Sequence, residues 1–140
     1  MTRTTGSPRA SRIEGMRILD AEAYSSLTTF KRDGTPVATP VWQAVGGDRI
    51  YVFTEAASWK VKRLGRNPRI EIAPCNWRGV LSTSAKWTGV ARVIRDEAEV
   101  AAAYAALDRK YGWQKGLVDL LSRLGGRYDG RAMLEITLDD

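Results

Sequence analysis

Apolar and polar positions alternate with a period of two through several short stretches of this chain, separated by turn residues. Ser25-Ser26-Leu27-Thr28-Thr29-Phe30 is a β-rich run, and Lys31-Arg32-Asp33-Gly34 supplies a hairpin turn after it. Thr35 to Val45 reads as one continuous second strand, with Pro36 near its start and Pro40 inside it. Proline cannot donate to a ladder, so Pro40 predicts an edge or a bulge where the sheet opens. Gly46-Gly47-Asp48 predicts the next tight turn, leading into a strand from Arg49 to Thr54. Ile70 to Cys75 gives a fourth strand, interrupted by Pro74, and the loop Asn76 to Ser84 is irregular. Lys86 to Ile94 alternates as a fifth strand, in which Gly89 predicts a bulge or a close approach of another backbone. Met133 to Leu138 is the closing strand.

Helical spacing enters at fewer places. Asp96-Glu97-Ala98-Glu99 is a capping-box-like start, and Val100, Ala103, Tyr104 and Leu107 then fall on one face. Acids lead this helix and Arg109-Lys110 trail it, in agreement with the helix dipole. Tyr111-Gly112-Trp113 breaks it, and Gly116 to Leu124 predicts a second, apolar helix ended by Gly125-Gly126. Ile18 to Tyr24 is a short lead-in, read as one helical turn capped by Asp20. Between the third and fourth strands lies a small helix, stopped by Gly65 and Asn67-Pro68. Short strands, one small helix and a late helical insert before a closing strand predict a mainly β fold, a barrel with α elements. Residues 1–15 are expected to form a mobile arm and 16–140 a single domain.

Composition narrows the chemistry. The chain has 140 residues, enough for one domain with a proper core, and 44% of them are hydrophobic. No apolar run approaches the roughly 18 residues needed to span a bilayer, and the N-terminal stretch lacks a signal-peptide h-region, so a cytoplasmic location is expected. The net charge is +6, but Arg3, Arg9 and Arg12 contribute three of those charges and no acid offsets them, leaving +3 for the remainder. That balance suits small anions or phosphates and does not demand a polyanionic partner. There is no histidine, which removes Ser-His-Asp and Cys-His catalysis and most transition-metal sites. The single cysteine, Cys75, forms no internal disulfide. An enzyme of this composition would draw its chemistry from an organic cofactor.

The segment Thr54 to Leu64 carries the most chemical information. It reads as a strand end opening into a short helix, and Lys60, Lys62 and Arg63 crowd its first turns. A helix N-terminus is already partly positive, so cations there are disfavoured unless an anion shares the place. Ser58 is a good N-cap, and with Thr54 it could offer hydroxyls to phosphate oxygens. The competing interpretation is a solvated basic face on a small helix.

The order of these motifs resembles a known family. Leu27-Thr28-Thr29-Phe30, Arg32-Asp33-Gly34-Thr35-Pro36 and Pro40-Val41-Trp42 are similar to the opening of pyridoxamine-phosphate-oxidase-like split β-barrel proteins. Ser58-x-Lys60-Val61-Lys62-Arg63-Leu64, Asn67-Pro68-Arg69 and Ala73-Pro74-Cys75 resemble their actinobacterial branch, which uses the deazaflavin coenzyme F420. Lys110-Tyr111-Gly112-Trp113 and Leu134-Glu135-Ile136-Thr137 are similar to its C-terminal part. The resemblance implies an FMN-binding-like split β-barrel with a helical insert, forming a homodimer with the coenzyme in a groove near the interface. It implies that Lys60, Lys62 and Arg63, with Thr54, Ser58 and Val61, hold the coenzyme phosphate. It further implies that Thr39-Pro40-Val41-Trp42 flank the ring system and that Ala73-Pro74-Cys75-Asn76 approach it from a neighbouring strand. The implied reaction is hydride transfer between the deazaflavin and a small unsaturated or carbonyl substrate. Three cations could contribute roughly 5–9 kcal/mol to phosphate capture, before ordering costs of at least about 4 kcal/mol.

Two alternatives stand beside an F420-dependent reductase. FMN on the same fold would use the same phosphate anchor. A non-catalytic module could carry the deazaflavin or bind nucleic acid through cations interleaved with aromatics near Trp59-Lys60 and Lys86-Trp87. Of the five tryptophans, Trp42 and Trp77 adjoin proline-marked strand segments and are expected nearest the site. Trp77 and Arg78, on the irregular loop, are candidate substrate contacts. Tyr51 is a candidate for the barrel interior, and Asp96 and Glu99 are helix caps. Cys75, a tyrosine or a bound water are the candidate proton donors.

Overall fold

A computed structural model describes residues 8–55, 58–112 and 131–139. In chain order the elements are α1 (Pro8–Asp20), β1 (Tyr24–Phe30), β2 (Pro36–Val41), β3 (Gln43–Gly46), β4 (Arg49–Glu55), α2 (Trp59–Arg66), β5 (Arg69–Cys75), β6 (Trp87–Ile94), α3 (Glu97–Tyr111) and β7 (Arg131–Leu138). The seven strands form one antiparallel sheet in the order β2-β1-β5-β6-β7-β4-β3.

That order contains the main departure from expectation. Thr35 to Val45 is not one strand: β2 ends at Val41, β3 begins at Gln43, and Trp42 alone separates them. β2 pairs with β1 at one edge of the sheet, whereas β3 pairs with β4 at the opposite edge. Chain continuity through Trp42 therefore draws the two edges together. The sheet has to curl into a half-barrel whose seam is closed by the covalent chain and not by a ladder. Pro40 lies on the edge strand β2, where a missing N–H costs no sheet bond.

The curl encloses one apolar face. Leu27 stands opposite Ile72, Val52 opposite Leu134, and Ile50 and Ala91 both opposite Ile136. Met16 and Leu19 of α1 and Leu64 of α2 pack into the same cluster. Each large aliphatic side chain fully buried here contributes about 1.5–3 kcal/mol. The outer face of β3, β4 and β7 is covered by α3, through Ala103, Ala106 and Leu107 against Ala44, Tyr51 and Met133. Tyr51 thus lies under α3 and not in the barrel interior, because it alternates with the inward-facing Ile50 and Val52.

Two close approaches depend on glycine. A Cβ on Gly89 would stand 2.4 Å from the Thr137 carbonyl oxygen, so β6 meets β7 there without room for a side chain. A Cβ on Gly15 would stand 2.6 Å from the Trp87 indole, which seats α1 against β6. This contact explains why the N-terminal helix extends well beyond the single turn expected from Ile18. It begins at Pro8, within the stretch 1–15 expected as an arm, and ends at Asp20, which is consequently not an N-cap. Asp96 caps α3, accepting from Glu99 N–H at 3.1 Å, and Gly112 closes the helix in the left-handed region. The second helix expected at Gly116 to Leu124, and Trp113, lie outside the described residues.

Candidate functional site at the barrel seam

The seam leaves a gap, and its walls follow from the strand registers. β3 reaches only as far as Gln43 opposite Val52, whereas β4 continues to Glu55 against β7. Phe53 and Thr54 therefore have a strand partner on one side and the seam on the other. Across from them stand the end of β2 and the switch residue Trp42. Tyr24, at the start of β1, is carried to the same place by the register Ser25 opposite Val41.

These residues line a cleft of about 330 Å³, bounded by Tyr24, Pro40, Val41, Trp42, Phe53, Thr54 and Lys60. Its aromatic wall is a row: the Tyr24 and Trp42 rings are 6.3 Å apart and tilted by 37°, and Trp42 and Tyr111 are 6.3 Å apart and tilted by 48°. Phe53 packs in turn on Tyr104 at 6.0 Å. Lys60 enters from the first turn of α2, positioned by the Ser58 cap, whose Oγ accepts from Val61 N–H at 3.4 Å. Aromatic faces beside a hydroxyl and an ammonium suit a flat ring bearing an anionic group.

The expected site residues are only partly brought together. Pro40, Val41, Trp42, Thr54 and Lys60 converge on the cleft. Ser58 and Val61 act through the helix cap. Lys62 points elsewhere, its Nζ 4.5 Å from the Trp59 ring, and Arg63 reaches β1, where Nη1 donates to Thr29 Oγ1 at 3.4 Å. Thr39 stands two residues before Val41 on the same strand face, and its Oγ1 is buried without a partner among the described residues. Ala73, Pro74 and Cys75 are buried in β5 against β1, with Cys75 opposite Tyr24. Burial pushes the Cys75 thiol up, with a smaller contribution from Glu22. Asn76 organises its own loop, Oδ1 accepting from Arg78 N–H at 2.8 Å and Val80 N–H at 3.0 Å.

Trp77 and Arg78 are exposed and stack on each other, the guanidinium 5.2 Å from the ring, and neither lines the cleft. Their loop nonetheless borders it, since a Cβ on Gly79 would lie 3.8 Å from Pro40 Cδ. Tyr24 and Phe53 were not among the expected residues. Each is an aromatic on a strand, Tyr24 at the start of β1 and Phe53 within β4, but only the register and the short β3 put them beside Trp42. Among the described residues no three His, Cys, Asp or Glu side chains gather as metal ligands, and no helix is long and apolar enough to cross a membrane.

A curled antiparallel half-barrel, with an aromatic cleft at its seam and a capped cationic helix at one end, defines a PNPOx-like split barrel. The family model for pyridoxamine 5'-phosphate oxidase matches residues 6–140, and the chain belongs to that family. Comparison with curated protein sequences finds no match. Among solved structures, conserved hypothetical protein Rv2991 from Mycobacterium tuberculosis is similar with a TM-score of 0.70 and 21% identity, over 98% of this chain and 86% of that one. HutZ, the heme storage protein from Vibrio cholerae, is similar with a TM-score of 0.65 and 12% identity, over 96% and 92% of the two chains. A heme binding protein from Mycobacterium smegmatis has a TM-score of 0.64 and 19% identity, with 99% of this chain covering 53% of that one. At these identities the likeness is one of fold.

Proposed function

We propose that this protein is an oxidoreductase that binds coenzyme F420 at the seam cleft and acts on a small organic substrate. The observation that carries this reading is the convergence of Lys60, from the capped first turn of α2, with the Trp42, Tyr24 and Phe53 aromatics on one 330 Å³ cleft. The donor set fits the coenzyme: flat apolar walls for a ring system, and Lys60 and Thr54 for an anionic oxygen. When bound, the deazaflavin would supply hydride-transfer chemistry. The chain's own residues would hold the ring flat, bind the phosphate and exclude water from the cleft. We further propose a homodimer, with the exposed Trp77, Val80 and Leu81 beside the cleft as the apolar part of its interface.

FMN is the second reading, because Lys60 and the helix N-terminus would serve either phosphate. Heme, named for two of the structural relatives, fits this chain less well. The sequence has no histidine, and its one cysteine is buried with a raised pKa, so the two commonest iron ligands are missing and the Tyr24 phenol is the only customary one on the cleft wall among the described residues. Fluorescence titration of the purified protein with F420, FMN, hemin and a single-stranded oligonucleotide tests these readings together. Saturable micromolar binding of F420 is expected. Tight FMN binding with no response to F420 would move the assignment to a flavin enzyme. Oligonucleotide binding without either coenzyme would replace it with a nucleic-acid-binding module.

A further inference from the structure

The strand switch that creates the cleft poses a backbone problem, and one side chain resolves it. Gln43 is the first residue of the edge strand β3, and in an antiparallel strand the N–H and C=O of one residue point to the same side. The Tyr111 hydroxyl meets both groups of Gln43, accepting from its N–H at 3.1 Å and donating toward its C=O at 2.7 Å. The same hydroxyl lies 2.8 Å from the Ala23 carbonyl, immediately before Tyr24. One oxygen at the C-terminal end of α3 thus ties the backbone on either side of the cleft's aromatic row. The Tyr111 ring also backs Trp42, and Tyr104, two helical turns earlier, backs Phe53.

Resting on the reading of the cleft as a ring-binding site, we infer that Tyr111 is a positioning residue: it fixes Trp42 as a rigid wall by holding Gln43 and packing behind the indole. It does not touch the ligand. Its effect is on the ring-binding part of the affinity and not on the phosphate-binding part, because Lys60 belongs to α2 and is held by a separate cap.

The test uses Tyr111→Phe, which keeps the ring and removes the hydroxyl. Two quantities are read: acrylamide quenching of Trp42, obtained by difference from a Trp42→Phe background, and the affinities for F420 and for its phosphate-free deazaflavin chromophore. Quenching is expected to rise, and both affinities to fall by about tenfold, with their ratio kept at the wild-type value. A purely stabilising role would lower the melting temperature and leave quenching and affinities unchanged, and that result overturns the inference. If the unaltered protein binds neither ligand, the proposed function fails, and the quenching of Trp42 alone decides the role of Tyr111. Should the variant not fold, amide exchange in the unaltered protein decides: slow exchange of Gln43 N–H supports the hydroxyl clamp, and exchange at the solvent rate refutes it.

Discussion

Lys110 Nζ donates to the Leu19 carbonyl at 3.3 Å, placing a half-buried ammonium against the C-terminal end of α1. Gln43 donates its side-chain amide to the same carbonyl. The helix dipole and the nearby Asp20 and Glu22 favour the charged lysine, but burial outweighs them and pulls its pKa down to about 8. An unfolded lysine titrates near 10.4. Above pH 8 the unfolded chain therefore holds more protons than the folded one, and stability from this group rises with pH up to about 10. Below pH 8 both states are protonated and the slope vanishes. Solvent screening keeps the effect to about 1 kcal/mol. Across pH 7 to 10, the urea midpoint of the unaltered protein should rise relative to that of Lys110→Met, and only above pH 8; parallel curves would refute the assignment. Tyr111, whose pKa burial raises to about 12, acts in the opposite sense only above about pH 10.

Gly89→Ala should destabilise the protein by about 2–3 kcal/mol. The added methyl would meet the Thr137 backbone carbonyl at 2.4 Å, and a ladder cannot yield there without parting β6 from β7. Denaturant unfolding measures this directly, and a wild-type midpoint would show that the strands have room to separate.

Phosphate capture should depend on Lys60 and hardly on Lys62. Only Lys60 lines the cleft, whereas Lys62 lies over the Trp59 ring. Lys60→Ala is expected to weaken F420 binding by at least about tenfold, the loss of one charge-assisted hydrogen bond, and Lys62→Ala by less than about twofold. Equal losses in both variants would mean that the helix grips the anion from its outer face.

Cys75 should be inert toward a thiol reagent in the native protein and react fully in urea. It is 1% exposed, and burial raises its pKa, so little thiolate is available at neutral pH. Prompt native labelling would show that the end of β5 opens readily. That outcome would also return Cys75 to candidacy as a proton donor.

The features legible in the amino-acid order are those whose causes are local. The Ser58 and Asp96 caps, the Lys31–Gly34 turn, the edge character of Pro40 and the close approach at Gly89 depend on residues near in sequence or on a missing side chain. The helical face of Val100, Ala103, Tyr104 and Leu107 depends only on period, and it packs as expected. So a mainly β barrel with α elements was readable from the amino-acid order, and the split-barrel class entered only through the resemblance of its motifs to a known family. The break at Trp42 was not, because a strand looks the same in sequence whether its two halves pair at one edge or at opposite edges. The length of α1 was hidden for a similar reason, since its seat depends on Gly15 meeting Trp87 from a distant strand. Alternation shows which residues share a face, but not which edges of the sheet meet. Only the curl of the sheet gathers Tyr24, Trp42 and Phe53 around one cleft, selects Lys60 from three neighbouring cations, and sets Tyr111 behind the wall.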